Sequence, residues 1–119
     1  MFRFENLDVW QEAMNLCERI YRVSQSFPAA EQYGLTSQVR RSVVSISANI
    51  AEGAGRGTDP EFVRFVDIAT GSLMETVSHW SLASRLQLIS ESDFREVYDQ
   101  CELIGKMISS LRNRLRNKP

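Results

Sequence analysis

Few residues in this chain have types and spacing that could do chemistry, and each of them also has a structural reading. Glu75 and His79 lie four apart, and His79 is the chain's one histidine. A carboxylate-bridged di-iron centre in a helical bundle needs Glu-x-x-His pairs on two helices and further inward carboxylates. Here the spacing is one residue too long and no second motif exists, so neither a metal nor another cofactor is expected. A nucleophilic triad would need the same histidine beside a serine or cysteine and an acid. His79 reads instead as a partly buried or interfacial residue, and no catalytic residue and no enzymatic activity are expected. Cys17 and Cys101 each fall in an apolar helical row, which favours reduced, buried thiols over a disulfide.

The stretch Gly53-Ala54-Gly55-Arg56-Gly57 precedes a helix start. Free backbone N–H groups and the helix dipole there could cradle a phosphate, with Arg56 adding charge. The element before it is a helix and not a strand, so nucleotide-binding fingerprints do not apply. The preferred reading is a helix stop, with the glycines supplying left-handed backbone. A second expectation groups Arg56 with Arg40 and Arg64 as an anion-binding patch at that end.

Charge is uneven along the chain. Residues 1–105 hold nine basic and fifteen acidic side chains, whereas residues 106–119 hold Lys106, Arg112, Arg114, Arg116 and Lys118 and no acid. Such a segment suits nucleic acid, or simply places cations at a helix C-terminus where the dipole favours them. Arg112, Arg114, Arg116 and Lys118 join Arg40, Arg56 and Arg64 as candidate nucleic-acid contacts.

The elements that would position these residues follow from periodicity. Val39, Val43, Ile46 and Ile50 recur at steps of four, three and four, one face of a helix. A second row on the same helix is polar: Arg41, Ser42, Ser45, Asn49 and Glu52. Serine and asparagine are poor helix formers because their side chains compete for the backbone. Buried polar groups need partners, so Arg41, Ser45, Asn49 and Glu52 are expected to pair among themselves and with Ser72 or Glu75 as a structural network.

The first helix runs from near Leu7 to about Gln25, with Trp10, Ala13, Cys17, Ile20 and Ser24 inward. Val9, Leu16 and Val23 form an additional row beyond one core. Phe27-Pro28 stops it, one helical turn follows before Gly34, and Thr36 or a neighbour caps the second helix. Thr58-Asp59-Pro60-Glu61 has capping-box spacing with proline in the first turn. The third helix carries Phe62, Val66, Ala69, Leu73, Thr76, Trp80 and Ala83 inward and extends to about Leu88, roughly 45 Å. Gly71 in its middle costs about 1 kcal/mol against alanine, which implies a close backbone approach by the second helix. Ser90 caps the fourth helix, whose row is Phe94, Val97, Cys101, Ile104, Ile108, Leu111 and Leu115.

Four helices with short links give an all-α, antiparallel up-down-up-down four-helix bundle, one domain over residues 1–119. At 43% hydrophobic and 24% charged, the composition is that of an ordinary globular domain. Arg3, Glu5 and Asp8 interrupt any apolar leader, and no apolar run approaches membrane-spanning length, so a cytoplasmic protein without membrane association is expected. Val63, Met74, Val77, Leu103 and Met107 add apolar surface beyond a four-helix core, which points to a homo-oligomer.

The segment FPAAEQYGLTSQVRRSVVSISANIAEGAGRG, followed by EFVRFVDIATGSLMET, resembles the 23S ribosomal RNA intervening sequence protein family, also called four-helix-bundle proteins. Gln38, Arg40, Arg41, Ser45, Asn49 to Gly53, Gly55 and Arg56 carry it, with Phe62, Phe65, Ala69, Gly71, Ser72 and Glu75. The resemblance implies an antiparallel bundle assembled as a ring-like homopentamer. It also implies similarity in fold to the accessory variability determinant protein of diversity-generating retroelements, which associates with nucleic acid and a reverse transcriptase. Two departures stand out: Val77 where relatives tend to carry a second acid after Glu75, and Leu86-Gln87-Leu88 where Leu-Gly-Tyr is common. Two functions remain: a non-enzymatic oligomer that associates with RNA or DNA through its basic C-terminal segments, or a protein-interaction scaffold with a partner the sequence does not identify.

Overall fold

A computed structural model describes residues 1–117. Four helices account for most of it: α1 (Asp8–Ser24), α2 (Leu35–Ala54), α3 (Asp59–Arg85) and α4 (Glu91–Arg116). Short 3-10 turns at Arg3–Asn6 and Ala29–Glu31 precede α1 and α2, and there is no strand among the described residues. Each helix packs antiparallel on the next and α4 closes against α1, while the diagonal pairs α1/α3 and α2/α4 make no close approach. The bundle measures 49 × 23 × 23 Å.

The inward rows meet along the bundle axis. Ala13, Leu16 and Ile20 face Val39, Val43, Ile46 and Ile50, with Phe62, Val66, Leu73 and Trp80 from α3 and Val97, Ile104 and Ile108 from α4, all buried. Fully burying a side chain of this kind stabilises by about 1.5–3 kcal/mol, so this one core holds the fold. Val9 and Leu16 belong to it too, and Val23 packs on its edge. The row on α1 expected to lie outside the core is therefore inside, because α1 touches both α2 and α4 and buries a wider stripe than one neighbour requires. Val63, Val77 and Met107 likewise lean on the core. Apolar residues left in solvent on the helices include Val44, Ile68, Met74, Leu82 and Leu103.

Caps set the ends. Thr58 Oγ1 accepts from Glu61 N at 3.4 Å and Ser90 Oγ accepts from Asp93 N at 3.0 Å, each satisfying a donor that the first turn leaves free. At α2 the expected Thr36 cap is absent: Thr36 is buried, and the Glu31 carboxylate accepts from Leu35 N at 3.1 Å instead. The helix α3 stops at Arg85, three residues short of the expected Leu88. Leu88 N donates to Ala83 O and Gln87 N to Ser84 O, both at 2.9 Å, a Schellman motif that turns the chain through Gln87 at φ 60°.

The glycines act differently from expectation. None has positive φ, so Gly53, Gly55 and Gly57 do not supply left-handed backbone. Gly53 lies inside α2, and a Cβ there would stand 2.8 Å from Phe62 Cδ1 and from Phe65 Cβ. The absent side chain is what lets α3 start against α2 (the close approach expected at Gly71). Gly71 itself is exposed, with nothing within 4 Å of a built Cβ.

Candidate nucleic-acid interface

The antiparallel topology gathers the candidate cations into two groups. The C-termini of α2 and α4 and the N-termini of α1 and α3 share one end of the bundle. Arg56, Arg64, Arg112, Arg114 and Arg116 lie there. Arg40 does not: it precedes Arg56 by sixteen positions along one helix direction, about 24 Å at 1.5 Å per residue, and sits at the opposite end. The expected trio of Arg40, Arg56 and Arg64 is thus divided by the length of α2. Lys118 lies outside the described residues.

Within the arginine-bearing end the side chains are engaged unequally. Arg112 Nε donates to Asp67 Oδ1 at 2.6 Å and its Nη2 to Oδ2 at 3.4 Å, a two-pronged contact between α4 and α3. The hydrogen bond that Arg112 donates to Asp67, then the Asp67 charge, pushes the Arg112 guanidinium above its ordinary value. Arg56 pairs with Glu52 at 2.9 Å and lies over the Phe65 ring at 4.7 Å. Arg64, Arg114 and Arg116 are exposed and make no ion pair among the described residues. Arg114 and Lys106 also line a hollow of about 400 Å³ between α4 and the start of α1, which Asp8 shares.

Arg40 has another task. Its Nε donates to Ser24 Oγ at 2.9 Å and its Nη2 to Tyr21 O at 3.2 Å, with the guanidinium 4.6 Å above the Tyr21 ring. The carbonyls of the last turn of α1 have no partner within the helix, and a cation there is favoured by the dipole. Arg40 therefore fastens α2 to the end of α1.

The polar row of α2 divides as well. Ser45 Oγ lies 2.7 Å from Ser72 Oγ, and Asn49 Nδ2 donates to Ser45 O at 2.8 Å and to Ser45 Oγ at 2.9 Å. One turn away, Thr76 Oγ1 donates to Ser72 O at 2.8 Å and lies 2.9 Å from Ser42 Oγ. This seam runs between α2 and α3. Arg41, Glu52 and Glu75 are exposed and outside it; their positions on the two helices turn them to solvent, where Glu52 takes Arg56.

Among the described residues no group of three or more His, Cys, Asp or Glu side chains could hold a metal ion. His79 is partly buried, and its Nε2 has no hydrogen-bond partner there. Both cysteines are free and buried. Cys17 Sγ donates to Val43 O at 3.3 Å, and burial pushes the Cys101 thiol up to about 12. Among the described residues no helix is long and apolar enough to cross a membrane. The residue missed by sequence reasoning is Asp67, which neutralises Arg112 from 45 positions away; no local signal marks such a pair.

A model of the 23S rRNA-intervening sequence protein family matches residues 5–110. A crystal structure of a protein of unknown function, from the S23 ribosomal protein family of Bacteroides thetaiotaomicron, is similar in fold. It is 23% identical with a TM-score of 0.78, over 87% of this chain and 96% of that one. No curated protein matches.

Proposed function

The chain belongs to the 23S rRNA-intervening sequence protein family, and from that premise we propose that it acts without catalysis, as a homo-oligomeric helical bundle that associates with RNA in the cytoplasm. The contact surface is the end where α4 finishes, with Arg114 and Arg116 foremost and Arg56 and Arg64 beside them. The observation that supports this is topological: the fold brings arginines from α2–α3 and from α4 to one end, although they are some fifty residues apart in sequence. Repeating that end around a ring, with five subunits as the number the resemblance implies, multiplies a modest charge into a field that attracts phosphate.

The second reading, a protein-interaction scaffold, is favoured by the apolar side chains in solvent, Ile68, Met74, Leu82 and Leu103. Surface of this kind serves subunit contacts or a partner protein. Fluorescence anisotropy with structured RNA and with duplex DNA, at about 50 and 200 mM salt, separates the two. Association through phosphates weakens steeply as salt rises, and Arg114→Gln with Arg116→Gln together remove most of it. Absence of binding at the lower salt would leave the scaffold reading standing.

A further inference from the structure

A broad hollow lies at the end of the bundle away from Arg114 and Arg116. It has a volume of about 710 Å³ and runs along α2 at its junction with α1, within the roughly 300–1,000 Å³ typical of ligand sites. Tyr21, Tyr33, Gln32, Ser37, Arg40 and Arg41 are among its lining residues, and no aspartate or glutamate lines it. In a chain with fifteen acids and a net charge of -1, a concavity with two arginines and no acid is a local positive region. A second hollow of about 390 Å³ shares Gln32, Thr36 and Arg40 with the first and also lacks acids.

The two aromatic rings add the other half of the chemistry. Tyr33 is 90% exposed and stacks on no other ring. The Tyr21 ring is held in place by the Arg40 guanidinium above one face, itself fixed by Ser24 and the Tyr21 carbonyl. Arg41, next in the chain, is exposed and in no ion pair among the described residues. Bases stack on exposed aromatic rings and phosphates sit on free arginines, which is how unpaired nucleic acid is held without base pairing.

We infer that this groove binds a nucleotide of single-stranded RNA, with the base stacked on Tyr33, the phosphate on Arg41, and Gln32 and Ser37 offering hydrogen bonds to the base or the ribose. Arg40 is a positioning residue that keeps Tyr21 and the groove wall in place. The site is separate from the arginine-bearing end and stands or falls independently of it.

The test uses the full chain, a labelled unstructured eight-nucleotide RNA, and AMP and ATP, at about 50 mM salt. Tyr33→Ala is expected to weaken RNA binding about tenfold and Tyr33→Phe to keep it, because the ring and not the hydroxyl carries the stacking. Arg41→Gln is expected to weaken binding and lower the salt slope by about one. Competition by AMP at equal concentration of nucleotide would identify a free nucleotide as the ligand and overturn the assignment to a strand, whereas binding of the oligonucleotide alone supports it. Unchanged affinity in both Tyr33→Ala and Arg41→Gln would overturn the groove. A change in assembled mass for Tyr33→Ala with RNA affinity intact would overturn it in favour of a protein contact. If Arg114→Gln with Arg116→Gln abolishes binding while Tyr33→Ala does not, the groove fails and the arginine-bearing end stands; the reverse result fails that end alone.

Discussion

Ser45 and Ser72 meet with their hydroxyl oxygens 2.7 Å apart, joining the middle of α2 to the middle of α3. The Ser45 hydroxyl also accepts from Asn49, so one side chain serves two partners across a part-buried helix contact. Ser45→Ala is expected to cost about 1–2 kcal/mol, since it strips a partner from Ser72 and from Asn49 together. Glu52→Ala, which breaks only an exposed pair with Arg56, is expected to cost less than about 1 kcal/mol. Urea melts of the two variants would rank them, and equal stability would remove the seam from any account of the fold.

Two of the helical glycines, Gly53 and Gly71, should respond oppositely to alanine. At Gly53 the new methyl meets Phe62 and the Phe65 Cβ at 2.8 Å, and the latter cannot swing aside without moving α3. The expected loss is about 1–3 kcal/mol. At Gly71 the methyl meets nothing, so Gly71→Ala should gain about 0.5–1 kcal/mol in the subunit. Thermal melts of both variants, with light scattering to follow assembly, would show whether an open position in the subunit is also open in the oligomer.

Gln87 occupies a left-handed backbone position with φ 60° that glycine adopts without penalty. Gln87→Gly is expected to stabilise the protein by up to about 1 kcal/mol, offset in part by the freedom glycine adds to the unfolded chain. A melting temperature that falls would mean that the Gln87 side chain makes a contribution the backbone geometry does not suggest.

Burial raises the Cys101 thiol from its ordinary 9.0 to about 12. A neutral thiol is thus held in the fold, while the unfolded chain ionises near 9 and releases a proton. The stabilisation is complete below pH 9 and declines as pH rises from 9 towards 12. Wild type should therefore lose melting temperature over that window faster than Cys101→Ala. Native protein at pH 8 should also resist thiol alkylation at both cysteines until urea is added.

Asp67 restrains Arg112, so Asp67→Asn should release a cation at the arginine-bearing end. RNA affinity should rise and the salt slope steepen by about one phosphate contact. An unchanged slope would place the RNA elsewhere on the surface.

How much of this was legible beforehand depended on whether the cause was local. Phe62, Val66, Ala69, Leu73, Thr76, Trp80 and Ala83 all read as one row, and all are buried, because helical period is written within the segment itself. The caps at Thr58 and Ser90 are local too. The roles of Gly53 and Gly71 are not legible in the sequence because a glycine's reason depends on what faces it, and Phe62 and Phe65 cannot be placed opposite Gly53 before the turn between them is known. The end of α3 reads three residues late in the sequence because its left-handed residue is a glutamine. Arg40 and Arg112 looked like free cations because their partners, Ser24 and Asp67, are 16 and 45 residues away.

The link between α2 and α3 spans residues 55–58, against ten residues between α1 and α2. A short link lowers the entropy of closing a helical hairpin, and local contacts form early. The α2–α3 hairpin, aligned by its own hydroxyl pairs, is then the expected folding nucleus, onto which α1 and α4 condense. Mutations in the seam should slow refolding, whereas Val9→Ala or Leu115→Ala should mainly hasten unfolding. On that view the serines of α2 matter most before the native state exists, when they choose which turn of α3 lies beside which turn of α2.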